Sequence, residues 1–160
     1  MFFNCRAIIE RDGSGGREIL VQERYKPYEG QTRLELPGGR VEEFESLVDA
    51  LRREVREETG LELFFIEGEE TRIETNGTNT RVECLRPFAA YQTLQGPVDS
   101  LGLYFRCRAE GQLLETGDET RDLRWIPVSE VTRMLDNAPG QVSFVDLSGL
   151  SIYIQTIGRG

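Results

Sequence analysis

The chain has 160 residues, 38% of them apolar and 29% charged, which is enough for one sizeable hydrophobic core. It has no apolar run of the roughly 18 residues needed to cross a membrane and no secretory signal at its start, so we expect one cytoplasmic domain over residues 1–160. A net charge of −9 disfavours nucleic acids as partners. Because histidine is absent, Ser-His, Cys-His and His-metal mechanisms are excluded, and carboxylates must carry any acid-base or metal chemistry.

The first half of the chain predicts a β-hairpin followed by one clear helix. Residues 2–24 contain two β-rich runs around a glycine-rich turn, which is typical of a hairpin. A helix is predicted from about Ser46 to Thr59. Ser46 and Asp49 have the spacing of a capping box, and Gly60 supplies a C-terminal stop.

The second half is mostly strand, with a short helix late in the chain. A helix is predicted at residues 128–135, and the tail at residues 148–157 fits either a helix or a strand. The strand candidates are residues 61–70, 81–93, 101–111 and 123–128. This order of elements indicates a mixed α/β (α+β) domain with a sheet between helices.

The first predicted helix carries glutamates on the face that it should bury. At about 100° per residue, Glu54 and Glu58 fall within the apolar arc and Glu57 lies on its border. The arc also holds Leu47, Ala50 and Leu51. A solvated helix with i,i+4 ion pairs does not explain carboxylates at these positions. A divalent cation such as Mg²⁺ does, because it binds carboxylate oxygens and water.

The loop before this helix, Pro37-Gly38-Gly39, is the second element of the predicted site. Glycines let the backbone bend and approach a ligand closely, while proline stiffens the entry to the turn. The same tripeptide is common in ordinary turns. Directly before a helix with carboxylates, it becomes a candidate for positioning a metal and a phosphate.

At these residues the sequence resembles the Nudix (MutT-like) hydrolases. The family signature places glycine, glutamate, arginine and aliphatic residues at fixed spacing over 23 residues, and the chain satisfies every specified position. The matching residues are Gly39, Glu45, Arg53, Glu54, Val55, Glu57, Glu58, Gly60 and Leu61. The resemblance implies an α/β/α sandwich with a mixed β-sheet between helices over most of the chain.

The resemblance also implies an activity: hydrolysis of a diphosphate bond in a nucleoside diphosphate linked to another group, with Mg²⁺ or Mn²⁺. In family terms Glu54, Glu57 and Glu58 would bind the metal, together with the backbone at Gly39. Glu54 or Glu57 would also act in catalysis, and the backbone at Gly38 would meet the phosphate.

Two further roles follow from the family pattern. Glu45 and Arg53 would form an ion pair that holds the loop against the helix. Many members use another glutamate from a late loop as metal ligand or base. Glu119 is favoured because it lies six residues before Trp125, a spacing similar to that in the MutT-like branch. The other acids of this loop, each equally compatible with a solvated surface position, are Glu115 and Asp118.

The substrate is specified only as nucleotide-type, since features typical of ADP-ribose and dinucleoside polyphosphate hydrolases are absent after the signature. Tyr28 is suited to stacking on a base and Arg24 to meeting a phosphate, although loop residues of this kind also occur without a ligand.

The alternative is a Nudix-fold module that binds or senses a nucleotide without cleaving it. An isoprenoid diphosphate isomerase is disfavoured by the intact signature. The apolar tail at residues 152–154 needs either a core or a second copy of the chain, so a homodimer is considered too.

Overall fold

The computed structural model describes residues 1–115 and 121–158, and those ranges contain ten strands and three α-helices. The strands are β1 (Phe2–Gly13), β2 (Gly16–Lys26), β3 (Gln31–Glu35), β4 (Gly38–Arg40), β5 (Glu62–Ile66), β6 (Ile73–Asn76), β7 (Arg81–Cys84), β8 (Ala89–Gln92), β9 (Ser100–Glu110) and β10 (Arg121–Pro127). The helices are α1 (Leu47–Thr59), α2 (Val128–Asn137) and α3 (Phe144–Ile157).

One mixed sheet organises the molecule, with the strand order β10-β2-β1-β9-β5. β1 and β9 are parallel, while the other neighbours in this order are antiparallel. Short strands extend it: β3 pairs with β2, β4 with β1, and β8 with β9. β6 and β7 form a separate hairpin. Because β4 pairs with residues 4–6 of β1, the Gly38–Arg40 backbone is held at the sheet.

Each face of the sheet is covered by helix, and β1 contributes to both cores. Cys5, Ala7 and Ile9 pack in one cluster with the apolar residues of α1, whereas Ile8 packs in the other with residues of α2 and α3. This is the period-2 alternation of a strand that is buried on both sides. The prediction of a mixed sheet between helices is confirmed.

The caps of the first helix are as predicted. The Ser46 hydroxyl accepts a hydrogen bond from the Asp49 amide at 3.2 Å, and Gly60 ends the helix with a left-handed φ of 80°. One predicted strand, residues 81–93, is instead divided into β7 and β8. The dividing segment contains Pro87, which lacks the amide that a ladder requires.

The tail forms α3, which settles the choice between helix and strand. Leu150, Tyr153 and Ile154 are buried in the chain's own core, so these side chains need no second copy to cover them. Ile152 is 42% exposed. Among the described residues no helix is long and apolar enough to span a membrane.

Candidate active site

An open cleft of about 870 Å³ lies where α1, the start of β4, the loop at residues 93–98 and the start of α3 come together. It brings acidic, basic and aromatic side chains onto one surface. Its lining includes Glu54, Glu57, Glu58, Arg24, Lys26, Arg40, Phe2, Tyr28, Tyr91 and Phe144. The predicted glutamates of α1, the two glycines before it, Arg24 and Tyr28 therefore share one cleft.

The three glutamates differ in exposure, as their helical positions require. The Glu57 side chain is 50% exposed, that of Glu54 is 16% exposed, and that of Glu58 is 6% exposed. The spacing of about 100° per residue placed Glu57 at the border of the apolar arc and Glu54 and Glu58 inside it. This placement agrees with the greater exposure of Glu57.

Glu58 is buried against protein hydrogen-bond donors. Its carboxylate accepts hydrogen bonds from the Gly38 amide at 3.0 Å, from Gln22 Nε2 at 2.9 Å and from Arg24 Nη2 at 2.8 Å. Burial nevertheless raises the pKa of Glu58 from 4.5 to about 7, although these donors favour the ionised form. Burial therefore opposes ionisation of this carboxyl group more than its three hydrogen-bond donors favour it.

Gly38 and Gly39 allow the backbone to approach its neighbours closely. A Cβ on Gly38 would lie 2.2 Å from the Cys5 carbonyl oxygen, and a Cβ on Gly39 would lie 2.4 Å from the carboxyl group of Glu54. Any side chain at either position would displace β1 or the Glu54 carboxylate. Close packing thus favours glycine at both positions, and at Gly38 a φ of 154° favours it as well.

Arg53 joins the helix to the loop before it. Its Nε and Nη2 atoms each lie 2.8 Å from one oxygen of Glu45, and Nη2 also donates to the Arg40 carbonyl at 3.0 Å. The hydrogen bond from Arg53 holds the pKa of Glu45 below its usual range. Nη1 lies 2.8 Å from Glu54 and 3.5 Å from Glu57, so the same guanidinium also orients two of the glutamates that line the cleft.

Glu35 is a buried charge that the sequence reasoning missed. It lies 3.0 Å from Arg24 Nε, 3.2 Å from Lys26 Nζ and 3.8 Å from Arg6 Nη2. Burial opposes its ionisation, but these three cations outweigh burial and lower the pKa of Glu35. Arg24 is consequently shared between Glu35 and Glu58.

The alternation Leu34-Glu35-Leu36 is the sequence feature that could have pointed to Glu35, but it does not show whether Glu35 is buried. It shows only that Glu35 points away from the face on which the two leucines lie. In a sheet that is covered on both faces, that second face is also buried. The remaining predicted residue, Glu119, lies outside the described ranges.

One family model matches most of the chain. Residues 3–147 match the family model described as the NUDIX domain. The chain belongs to the Nudix family. The resemblance seen in the sequence is confirmed, and its extent includes the sheet and all three helices at least in part.

Solved structures support the Nudix fold over nearly the whole chain. The E. coli ORF135 protein is 23% identical with a TM-score of 0.62, and the match covers 99% of this chain and 91% of that one. The Nudix domain of Shewanella oneidensis NrtR, solved in complex with ADP ribose, is 17% identical with a TM-score of 0.67, covering 99% and 89%. A MutT Nudix hydrolase from Burkholderia pseudomallei is 19% identical with a TM-score of 0.60, covering 94% and 95%. A comparison with curated proteins found no match.

The donor chemistry of the Nudix helix fits a hard divalent cation, because three carboxylates line the cleft beside a glycine backbone. Within residues 1–115 and 121–158, no three acidic or cysteine side chains are already gathered around one point. Glu54 is bound to Arg53, and Glu58 to Gln22, Arg24 and Gly38.

Proposed function

We propose that this Nudix protein hydrolyses a diphosphate bond in a nucleoside diphosphate linked to another group, with Mg²⁺ or Mn²⁺ as cofactor. One observation carries the proposal. Glu54, Glu57 and Glu58 from one helix line the same cleft as the backbone of Gly38 and Gly39. Basic side chains in that cleft suit phosphate, and its aromatic side chains suit a base.

In this proposal the glutamates bind the metal and one of them also activates the attacking water. Glu54, Glu57 and Glu58 supply ligand oxygens with the backbone of Gly39. When bound, the cation supplies a Lewis acid for the diphosphate oxygens and for water. Glu54, held between Arg53 and the Gly39 backbone, directs the attacking water and accepts its proton, with Glu57 or the late-loop Glu119 as the other candidate bases. Water attacks one phosphorus atom of the diphosphate and the bridging P–O bond breaks. The other phosphate group leaves with the bridging oxygen.

The substrate is held by the other walls of the cleft. Arg40 presents positive charge, and Lys26 adds to it although its Nζ lies 3.2 Å from Glu35. Tyr28, 53% exposed, presents a ring on which a base can stack. Arg24 stays tied to Glu35 and Glu58, which offset most of its charge, so in this proposal it has a smaller part in meeting phosphate. The cleft lining holds four basic and four acidic side chains, so in this proposal the bound cation offsets the glutamates and lets the acidic chain hold an anionic substrate.

The test is hydrolysis of a nucleotide panel with Mg²⁺ or Mn²⁺, comparing the wild type with Glu57→Gln. The panel contains dNTPs, oxidised dNTPs, ADP-ribose, nucleotide sugars, dinucleoside polyphosphates and NADH. For the substrate that the wild type cleaves, Glu57→Gln should lower kcat about 100-fold or more, because it removes a charged ligand with little change in shape. Glu62→Gln is the matched control. Glu62 is similarly exposed but lies outside the cleft, so this variant should keep the wild-type rate.

Two outcomes would contradict the proposal in different ways. Full activity of Glu57→Gln would show that the metal assignment is wrong. Metal-dependent binding of one compound without cleavage by the wild type would favour a nucleotide-sensing module instead.

A further inference from the structure

We propose that Asp146 of α3 is a positioning residue for the metal and phosphate site, acting through Arg6 and Leu36 on the segment Leu36–Gly39. The inference rests on the proposed function, because it concerns how that site is held in place. It assigns a role in the site to a helix that begins 83 residues after the end of the Nudix signature.

Asp146 of α3 and Arg6 of the central strand β1 form a buried ion pair. Asp146 is 0% exposed, and its two oxygens lie 2.5 and 2.8 Å from Arg6 Nε and Nη2. The same carboxylate accepts a hydrogen bond from the Leu36 amide at 2.8 Å, and Arg6 Nη2 donates to the Leu36 carbonyl at 2.8 Å. One ion pair therefore satisfies both backbone polar groups of Leu36.

Leu36 leads directly into the backbone that faces the glutamates. Two residues later the Gly38 amide donates to Glu58, and the next residue, Gly39, leaves no room for even a Cβ beside Glu54. Gly38 itself is packed tightly against β1. A shift of Leu36 cannot be absorbed in such close contact, so it would be transmitted to the positions of Gly38 and Gly39.

A purely structural role is the alternative, and the chain offers a matched control for it. Glu10 lies four residues after Arg6 on the same strand and is also buried. It accepts a hydrogen bond from Tyr153 of α3 at 2.8 Å and lies 3.1 Å from Arg106. Glu10 thus joins the same strand to the same helix through a buried carboxylate, yet it does not line the cleft.

The experiment compares full-length Asp146→Asn and Glu10→Gln in three measurements. These are Mn²⁺ affinity by calorimetry without substrate, kcat and KM on the substrate found above, and the ¹H–¹⁵N amide shifts of Gly38 and Gly39 in metal-free protein. Asp146→Asn should weaken Mn²⁺ binding and lower kcat by about 10- to 100-fold, with a smaller change in KM and displaced glycine shifts. Glu10→Gln should lower the Tm but stay close to the wild type in all three measurements.

The proposal is overturned if Asp146→Asn lowers only the Tm, as Glu10→Gln does, and keeps Mn²⁺ affinity, kcat and the glycine shifts. If Asp146→Asn does not fold, Arg6→Lys gives the same readouts, since lysine keeps the charge but lacks the fork that also reaches the Leu36 carbonyl. If the wild type cleaves no nucleotide, the proposed function fails. The glycine shifts then still decide whether Asp146 positions the segment.

Discussion

Glu58 is a carboxylate that destabilises the folded chain when it is ionised. Its pKa in the folded protein, about 7, lies above the ordinary 4.5, so the folded state holds an extra proton between these two pH values. Stability contributed by this group is therefore lost as the pH rises through that window. The pKa values of Glu35 and Glu45 are lowered instead, and the stability that they contribute is lost only when the pH falls below about 4.5.

Replacing Glu58 by glutamine should remove this pH dependence in metal-free protein. In the wild type, Glu58 becomes a buried charge as the pH rises, whereas glutamine stays neutral. The free energy of unfolding of Glu58→Gln minus that of the wild type should therefore rise by about 3 kcal/mol between about pH 4 and pH 8. Urea denaturation at several pH values measures this. Glu62→Gln, at an exposed site, should show no such rise between about pH 5 and pH 8. A difference between Glu58→Gln and the wild type that does not change with pH would contradict the assignment.

At the scale of elements, the β6–β7 hairpin supports the start of α1. Glu83 accepts a hydrogen bond from the Leu47 amide, the first of the helix, at 2.9 Å and is held by Arg72 Nε at 2.7 Å. A carboxylate at a helix N-terminus satisfies a free amide and complements the helix dipole. A side chain from a distant hairpin therefore acts with the local Ser46 cap to fix the end of the helix that carries the glutamates.

Glu83→Ala should destabilise the protein by about 0.5 to 2 kcal/mol, the usual cost of losing a helix cap. Thermal and urea denaturation measure this cost. Glu74→Ala is the control, because Glu74 also pairs with Arg72, at 2.8 Å, and accepts a hydrogen bond from Arg81. Within the part of the chain that the structure describes, it makes no hydrogen bond to α1. Equal losses in the two variants would show that the ion pairs of the hairpin matter and the helix contact does not.

At the scale of the whole molecule, α3 completes the core that it shares with Ile8 of β1 and the apolar residues of α2. Leu150→Ala should cost about 2 to 5 kcal/mol, since the side chain is 3% exposed and its removal leaves a cavity. Ile152→Ala, at a position on the same helix that is 42% exposed, should change the stability by about 0.5 kcal/mol or less. Urea denaturation measures both. A large loss for Ile152→Ala that depends on protein concentration would show that a second copy covers this helix.

Much of the candidate site was accessible from the sequence because it is local. In a helix of 3.6 residues per turn, spacing alone places Glu54 and Glu58 on the same face and Glu57 at its border. The glycines at positions 38, 39 and 60 indicate a close turn and a helix stop by their conformational freedom. The sequence also indicated the mixed sheet between helices, since strand and helix periodicities differ.

The partners of these residues were decided only by the tertiary structure. Gln22, Arg24 and Glu35 meet Glu58 or one another because β2 and β3 pair beside α1, and no periodicity within one segment reports such a meeting. Asp146 meets Arg6 across 140 residues, from just before the tail whose pattern fits both helix and strand. A local pattern determines which face a side chain takes. Only the packing of one element on another determines what that face meets, and hence whether a buried charge is paired.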